Sequence, residues 1–157
     1  ILLHKEGLCP RAELLLFLAD RSQHVDEVIL PALKKGIVVL CDRFNDSTMA
    51  YQGGARGFDP EWIQKLCAFA TQNLQPDLTL YLDLDPQEGL NRVQHRTKDR
   101  IEAESLAFHQ KIREAYLTIA KKEPKRFHIL NAAKPPDDVF AQALPLLLQL
   151  KDGLKSV

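Results

Sequence analysis

Residues 37–57, IVVLCDRFNDSTMAYQGGARG, restrict the possible folds of this chain more than any other stretch. Ile37, Val38, Val39 and Leu40 form an apolar run too short for a helix core and rich in β-branched side chains, which predicts a buried strand of a parallel sheet. Asp42 and Arg43 stand at its carboxyl end. Open α/β folds take their ligands in the crevice beyond the carboxyl ends of the strands. An arginine there presents a planar fork suited to phosphate, and an adjacent carboxylate can orient the fork or touch a metal-bound water. Asn45, Asp46, Ser47 and Thr48 then read as a polar loop offering hydroxyls and an amide, followed by the phenol of Tyr51 and the glycines at 53, 54 and 57. Asp-Arg alone fits a surface ion pair equally well; the order of the whole segment is what separates the two readings.

That order, Asp42-Arg43 and then Ser47-Thr48-Met49-Ala50-Tyr51-Gln52-Gly53, resembles the acceptor-site signature of the thymidylate kinase family. Further matches lie along nearly the whole chain: Phe17-x-x-x-Arg21, PDLTLYLD at residues 76–83, Asp99-Arg100-Ile101-Glu102, and Arg113-x-x-Tyr116. The resemblance implies an α/β fold, a parallel sheet flanked by helices of the P-loop nucleoside-monophosphate-kinase type. It also implies transfer of a phosphoryl group from ATP to dTMP, with Mg2+. Arg43 is then expected on the acceptor phosphate, with Asp42 orienting it or touching a magnesium-bound water. Phe17 is expected to stack on thymine while Arg21 and Thr48 read its polar edge. Tyr51 is expected against the sugar, with Ser47 and Gln52 beside it. Arg92, Arg96 and Arg100 are expected on a lid at about residues 92–102, where mobile cations meet charge developing on the transferring group. Ala132 and Ala133 are expected beside the donor adenine. A homodimer built through helices follows from the same resemblance, with the apolar helix around Leu14 to Leu18 as contributor.

The length, 157 residues, suits one domain with a proper core. Formal net charge is zero, which weighs against a polymeric nucleic-acid partner but leaves room for a few local cations around a mononucleotide. Cys9, Cys41 and Cys67 are odd in number and widely spaced, and read as buried small hydrophobes in a reducing compartment. No apolar run has the length of a membrane span and no signal-peptide pattern opens the chain, so a cytoplasmic setting is expected.

Pro10 opens a helical pattern, and a second helical run covers 25–35, with Pro31 a candidate kink and Gly36 the stop. Asp59 is placed as the cap of a helix reaching about Asn73, with Trp62, Ile63, Leu66, Cys67 and Phe69 as its core stripe. Strands are expected at 78–84 and 127–130. Helices are expected from Pro86 to about Gln94, over 104–122 and over 137–150, with a frayed tail from 151 onward. Asp83 and Asp85 admit a metal-pair reading, but capping of the following helix is the better use of Asp85.

No G-x-x-x-x-G-K-[ST] phosphate loop occurs in the sequence, and the glycines at 53–57 are followed by no Lys-Ser or Lys-Thr. The resemblance places such a loop and its strand ahead of residue 1, the strand lying between those at 37–41 and 78–84. The chain by itself is then expected to keep much of the acceptor site and to be catalytically silent. Two alternatives stand beside this reading: a deoxynucleoside kinase, which would bring a carboxylate base to a 5′-hydroxyl, and a non-catalytic nucleotide-binding or dimerising protein.

Overall fold

In the computed structural model, which describes residues 7–95, 97 and 99–154, the first helix, α1, spans Pro10–His24. Proline suits its first turn because that N–H has no intrahelical partner in any residue. The helix does not stop before the second helical run. It passes through a single widened turn, Val25–Ile29, into α2, Leu30–Lys34. Pro31 explains the widening: its ring cannot follow a regular turn, and a wider one gives it room. Gly36, at φ 70°, closes α2, donating its N–H to the Leu33 carbonyl at 2.9 Å.

The described residues form two compact units, Ile1–Gln75 with Lys98–Ala115, and Pro76–Thr97 with Tyr116–Val157. In the first unit the core joins Leu14 and Leu18 of α1 to Ile63, Cys67 and Ala70 of α4, which spans Pro60–Ala70. Between them in sequence come α3, Asn45–Thr48, and a wide helical turn, Met49–Ala55. Met49, Phe58 and Leu66 pack around the core. Asp59 caps α4 as expected, its carboxylate accepting from the Trp62 N–H at 2.8 Å.

Four expectations change in this unit. Residues 37–41 make no strand ladder among the described residues, and Val38 and Leu40 are 77% and 97% exposed. A β-branched run shows that a segment suits a sheet, but its ladder depends on a partner strand that composition does not identify. The stretch read as a polar loop is helical from Asn45 to Ala55, because Thr48, Ala50 and Gln52 are buried in the unit and their packing overrides the loop-forming preference of Ser, Asn and Gly. Phe69 is 86% exposed and Trp62 is also exposed; Ile63, Cys67 and Ala70 make the buried stripe instead. Cys9 is exposed and Cys41 half-buried, so only Cys67 fits the reading as a buried hydrophobe.

The second unit is built on two parallel strands, β1 (Thr79–Asp83) and β2 (Phe127–Asn131), in register from Thr79 opposite Phe127 to Asp83 opposite Asn131. Tyr81 stacks on Tyr116 at 4.6 Å between centroids, and both rings lie near Phe127. Asp85 caps α5 (Pro86–Arg92) through the Gln87 and Glu88 N–H groups. The helix α6, Leu106–Lys122, gives its first residues to the first unit and those from Tyr116 onward to the second. The last helix, α7, spans Pro136–Leu154 and carries Pro145 inside it. It continues through the stretch expected to fray, and residues 155–157 lie outside the described residues. Among the described residues no helix is long and apolar enough to cross a membrane.

Gly54 sits where a methyl group would be blocked: a Cβ built there lies 2.6 Å from the Cβ of Ala115. Gly54→Ala is expected to lower stability by about 1–3 kcal/mol through overpacking. Ala115→Gly alone should lose about 1 kcal/mol of helix propensity, and because it removes the clash the double variant should be less destabilised than the sum of the two single ones, read from the denaturation midpoints.

Candidate functional site

Arg43 adopts φ 71°, a left-handed backbone that only glycine takes at little cost. The Cys41 thiol donates to the Arg43 carbonyl at 3.3 Å. The kink turns the chain from the 37–41 segment into α3 and leaves the Arg43 side chain exposed, its guanidinium 5.1 Å from the Tyr51 ring centroid. Cation–π contact of this kind helps to hold a guanidinium over an aromatic face. Asp42 is exposed beside it.

A second guanidinium lies in the same unit. Arg21 Nη1 donates to Thr48 Oγ1 at 2.5 Å and to Asn45 Oδ1 at 3.3 Å, and its guanidinium carbon is 5.6 Å from the Phe44 ring. Phe17, one turn before Arg21 on α1, is half-buried, as are Ser47 and Tyr51, whereas Thr48 is buried. Burial pushes the Cys67 thiol upward in pKa, against the lowering influence of Arg21 and a hydrogen bond from Thr48.

The residue that sequence reasoning missed is Glu13. Its side chain is 1% exposed and accepts four hydrogen bonds. Oε1 receives Gln52 Nε2 at 2.9 Å and Arg56 Nε at 3.4 Å, while Oε2 receives Arg56 Nη2 at 3.3 Å and Arg100 Nη1 at 2.5 Å. Arg56 Nη1 also meets Glu104 Oε1 at 2.6 Å, and its guanidinium lies over Phe108 at 4.6 Å. Burial pushes the Glu13 carboxyl up, but hydrogen bonds from Gln52, Arg100 and Arg56 outweigh it and hold the pKa below the usual carboxylate value. Burial likewise pulls Arg56 down, and Glu104 and Glu13 more than offset it. The detectable signal was an acidic residue on the apolar face of α1, one turn before Phe17. Such a residue needs a partner once buried.

This hub changes the setting of two expected site residues. Gln52 is buried and turned to Glu13. Arg100 is paired with Glu13, and its Nε and Nη2 are buried with no partner among the described residues. Asp99 and Glu102 on either side form a reciprocal cap: Asp99 Oδ1 accepts from the Ile101 and Glu102 N–H groups, and Glu102 Oε2 accepts from the Asp99 N–H. Arg96 lies outside the described residues.

In the second unit, Arg92, Ala132 and Ala133 line an open, largely apolar cavity of about 810 Å³ with Leu80, Leu130 and Val139. Arg92 Nη1 donates to the Ala132 carbonyl at 3.2 Å and Nη2 pairs with Glu88 at 2.6 Å. The turn is held by Asn131, whose side-chain oxygen accepts from the Ala133 N–H at 3.0 Å. Among the described residues no group of three or more His, Cys, Asp or Glu side chains could hold a metal ion.

Two parallel strands among helices make this an α/β protein, with an arginine at a backbone kink and a helix-borne Phe-x-x-x-Arg pair. Residues 1–143 match the model of the family described as thymidylate kinase. A thymidylate kinase of Desulfovibrio desulfuricans is 53% identical over 87% of this chain and 66% of its own length, and one of Protochlamydia amoebophila is 46% identical over 87% and 64%. A crystal structure of thymidylate kinase from Ehrlichia chaffeensis superposes with a TM-score of 0.71 at 31% identity, covering 91% of this chain and 67% of that one. The chain belongs to the thymidylate kinase family, and spans about two thirds of the length of the relatives it matches.

Glu13→Gln leaves two guanidiniums facing a neutral amide, and at pH 7 is expected to cost about 3–5 kcal/mol, the usual result of breaking a buried pair. The Glu13 pKa is depressed by folding, so its contribution is present above the ordinary value of 4.5 and fades as pH falls through the lower folded value. Urea denaturation of parent and variant should therefore give curves that converge under acid conditions.

Proposed function

We propose that the protein carrying this chain transfers the γ-phosphoryl group of ATP to the 5′-phosphate of dTMP, giving dTDP. One observation supports this above the rest: Arg43, in the family's Asp-Arg position, is presented on a left-handed residue and cradled by the Tyr51 ring. Non-glycine residues in that conformation are held there by their surroundings, and they cluster at ligand clamps.

In this reading Arg43 takes the acceptor phosphate through its planar fork. Phe17 stacks on the thymine ring, and Arg21 donates to the base edge from its position on Thr48. Tyr51 packs against the sugar, with Ser47 beside it. Gln52 and Arg100 act one step removed, through Glu13. Arg92, and Arg96 with it, belongs to a lid at about residues 92–102 that brings cations to the transferring group. Ala132 and Ala133 lie beside the donor adenine at the cavity of the second unit. The protein's part is positioning and electrostatic stabilisation, since phosphoryl transfer asks for little covalent chemistry from side chains.

Mg2+ carried in with the nucleotide would supply positive charge against that of the phosphates. Asp42, a single exposed carboxylate, fits contact with a metal-bound water better than a dedicated metal cage. A homodimer and a cytoplasmic setting belong to the same proposal. Leu15 and Leu16, exposed on α1, support the first, and cysteines unpaired in disulfides support the second.

The test is turnover of dTMP with ATP by the intact protein, with calorimetry of dTMP against UMP and dCMP. Preference for dTMP in both is expected, and equal use of dCMP would overturn the reading. Arg43→Ala should lower kcat/KM by on the order of 10²-fold or more, in line with removal of a charge-stabilising donor. Arg43→Gly should be equally impaired yet more stable than Arg43→Ala, because glycine accepts the left-handed backbone.

A further inference from the structure

Beneath the Arg21 guanidinium lies a chain of polar groups in what is otherwise a helix–helix core. Thr71, 0% exposed just past the end of α4, donates its hydroxyl to the Cys67 carbonyl at 2.9 Å. The same oxygen accepts from Asn45 Nδ2 at 3.0 Å. Asn45 Oδ1 in turn accepts from Arg21 Nη1 at 3.3 Å. Both Thr71 and Asn45 are buried, so neither replaces a lost bond with bulk water.

The direction of the chain is fixed by donor count. Thr71 has one hydroxyl proton, and the carbonyl one turn back takes it. Towards Asn45 it can therefore only accept, which requires the amide nitrogen to face it. A guanidinium has donors and no acceptor, so the other end of the amide must present oxygen to Arg21. The two ends demand the same orientation of the Asn45 amide.

We propose that Asn45 and Thr71 are positioning residues that set the aim of Arg21, and through it the selection of a pyrimidine whose edge offers a carbonyl acceptor. Arg21 then has two anchors on α3, Asn45 and Thr48, both made before any ligand arrives. Preorganised donors cost no rearrangement on binding, which is why a group that touches no ligand can govern selectivity. The inference rests on the role given to Arg21 in the proposed function.

The experiment is steady-state kinetics of the intact protein with dTMP and dCMP, on Thr71→Val, Thr71→Ser, Asn45→Ala and the Thr71→Val/Asn45→Ala double variant. Thr71→Val keeps the side-chain shape and removes the acceptor. It should raise KM for dTMP about tenfold with kcat and KM for ATP near the parent values, and narrow the preference for dTMP over dCMP. Thr71→Ser, which keeps the hydroxyl, should behave as the parent. The double variant should be no worse than Asn45→Ala alone, because the two residues act in series. Asn45→Ala leaves Thr71 satisfied by Cys67 and so tests the chain even if Thr71→Val fails to fold. A parental KM for dTMP in Asn45→Ala and in folded Thr71→Val, beside a raised one in Arg21→Ala, overturns the positioning role. Additive losses in the double variant overturn it too. A parental KM in Arg21→Ala overturns the reading of Arg21 itself.

Discussion

A carboxylate buried on the face of a helix organises the first unit. Glu13 meets Arg56 and Arg100, and Arg56 also meets Glu104, so two acids and two bases close a charge-neutral group around one buried residue. Alone, a carboxylate at 1% exposure would be heavily penalised by lost hydration; four donors offset that loss and make its removal costly. The group joins α1, the end of the wide turn after α3 and the segment ahead of α6. Residues 13, 17 and 21 follow one another at intervals of four along α1, so the hub, the half-buried Phe17 and the Arg21 guanidinium lie along one side of the same helix. Fixing Glu13 therefore also fixes the helix from which the two base-recognition candidates project.

Much of this was legible in the chain, and the failures share a cause. Helix starts at Pro10, Asp59 and Asp85 were readable because caps and prolines act within a few residues of where they stand. Strands β1 and β2 were readable from short β-rich runs that found each other. The identical signal at residues 37–41 led to no ladder among the described residues, since pairing is a long-range property. The helical course of 45–55 ran against local preference and was decided by the burial of Thr48, Ala50 and Gln52. At the candidate site, Arg43, Arg21 and Thr48 stood out through their place in the motifs that resemble the family's. Glu13 was not, because its partners Gln52, Arg56 and Arg100 are 39 to 87 positions away by numbering and only folding brings them together.

The Asp99-Arg100-Ile101-Glu102 run shows how one motif can carry two meanings. As charge it reads as part of a phosphate lid; as geometry its two acids form a reciprocal helix-type cap and its arginine enters the Glu13 group. These uses are compatible if the run is the fixed stem from which a lid projects. The cap satisfies backbone donors locally and holds the turn, while the ion pair anchors it to α1.

The two arginines proposed for the acceptor differ in the contacts they make, and the difference matches the tasks proposed for them. Arg21 is gripped through the directional hydrogen bonds it donates to Asn45 and Thr48, which set its orientation and suit the base-reading role proposed for it. Arg43 lies over the face of Tyr51, from a backbone bent into the left-handed region. A phosphate presents several equivalent oxygens to the fork of a guanidinium, so an arginine proposed to meet it needs exposure and a fixed origin. In the proposed function, a directional grip suits the arginine that would read a base edge, and an exposed guanidinium on a bent backbone suits the one that would hold a phosphate.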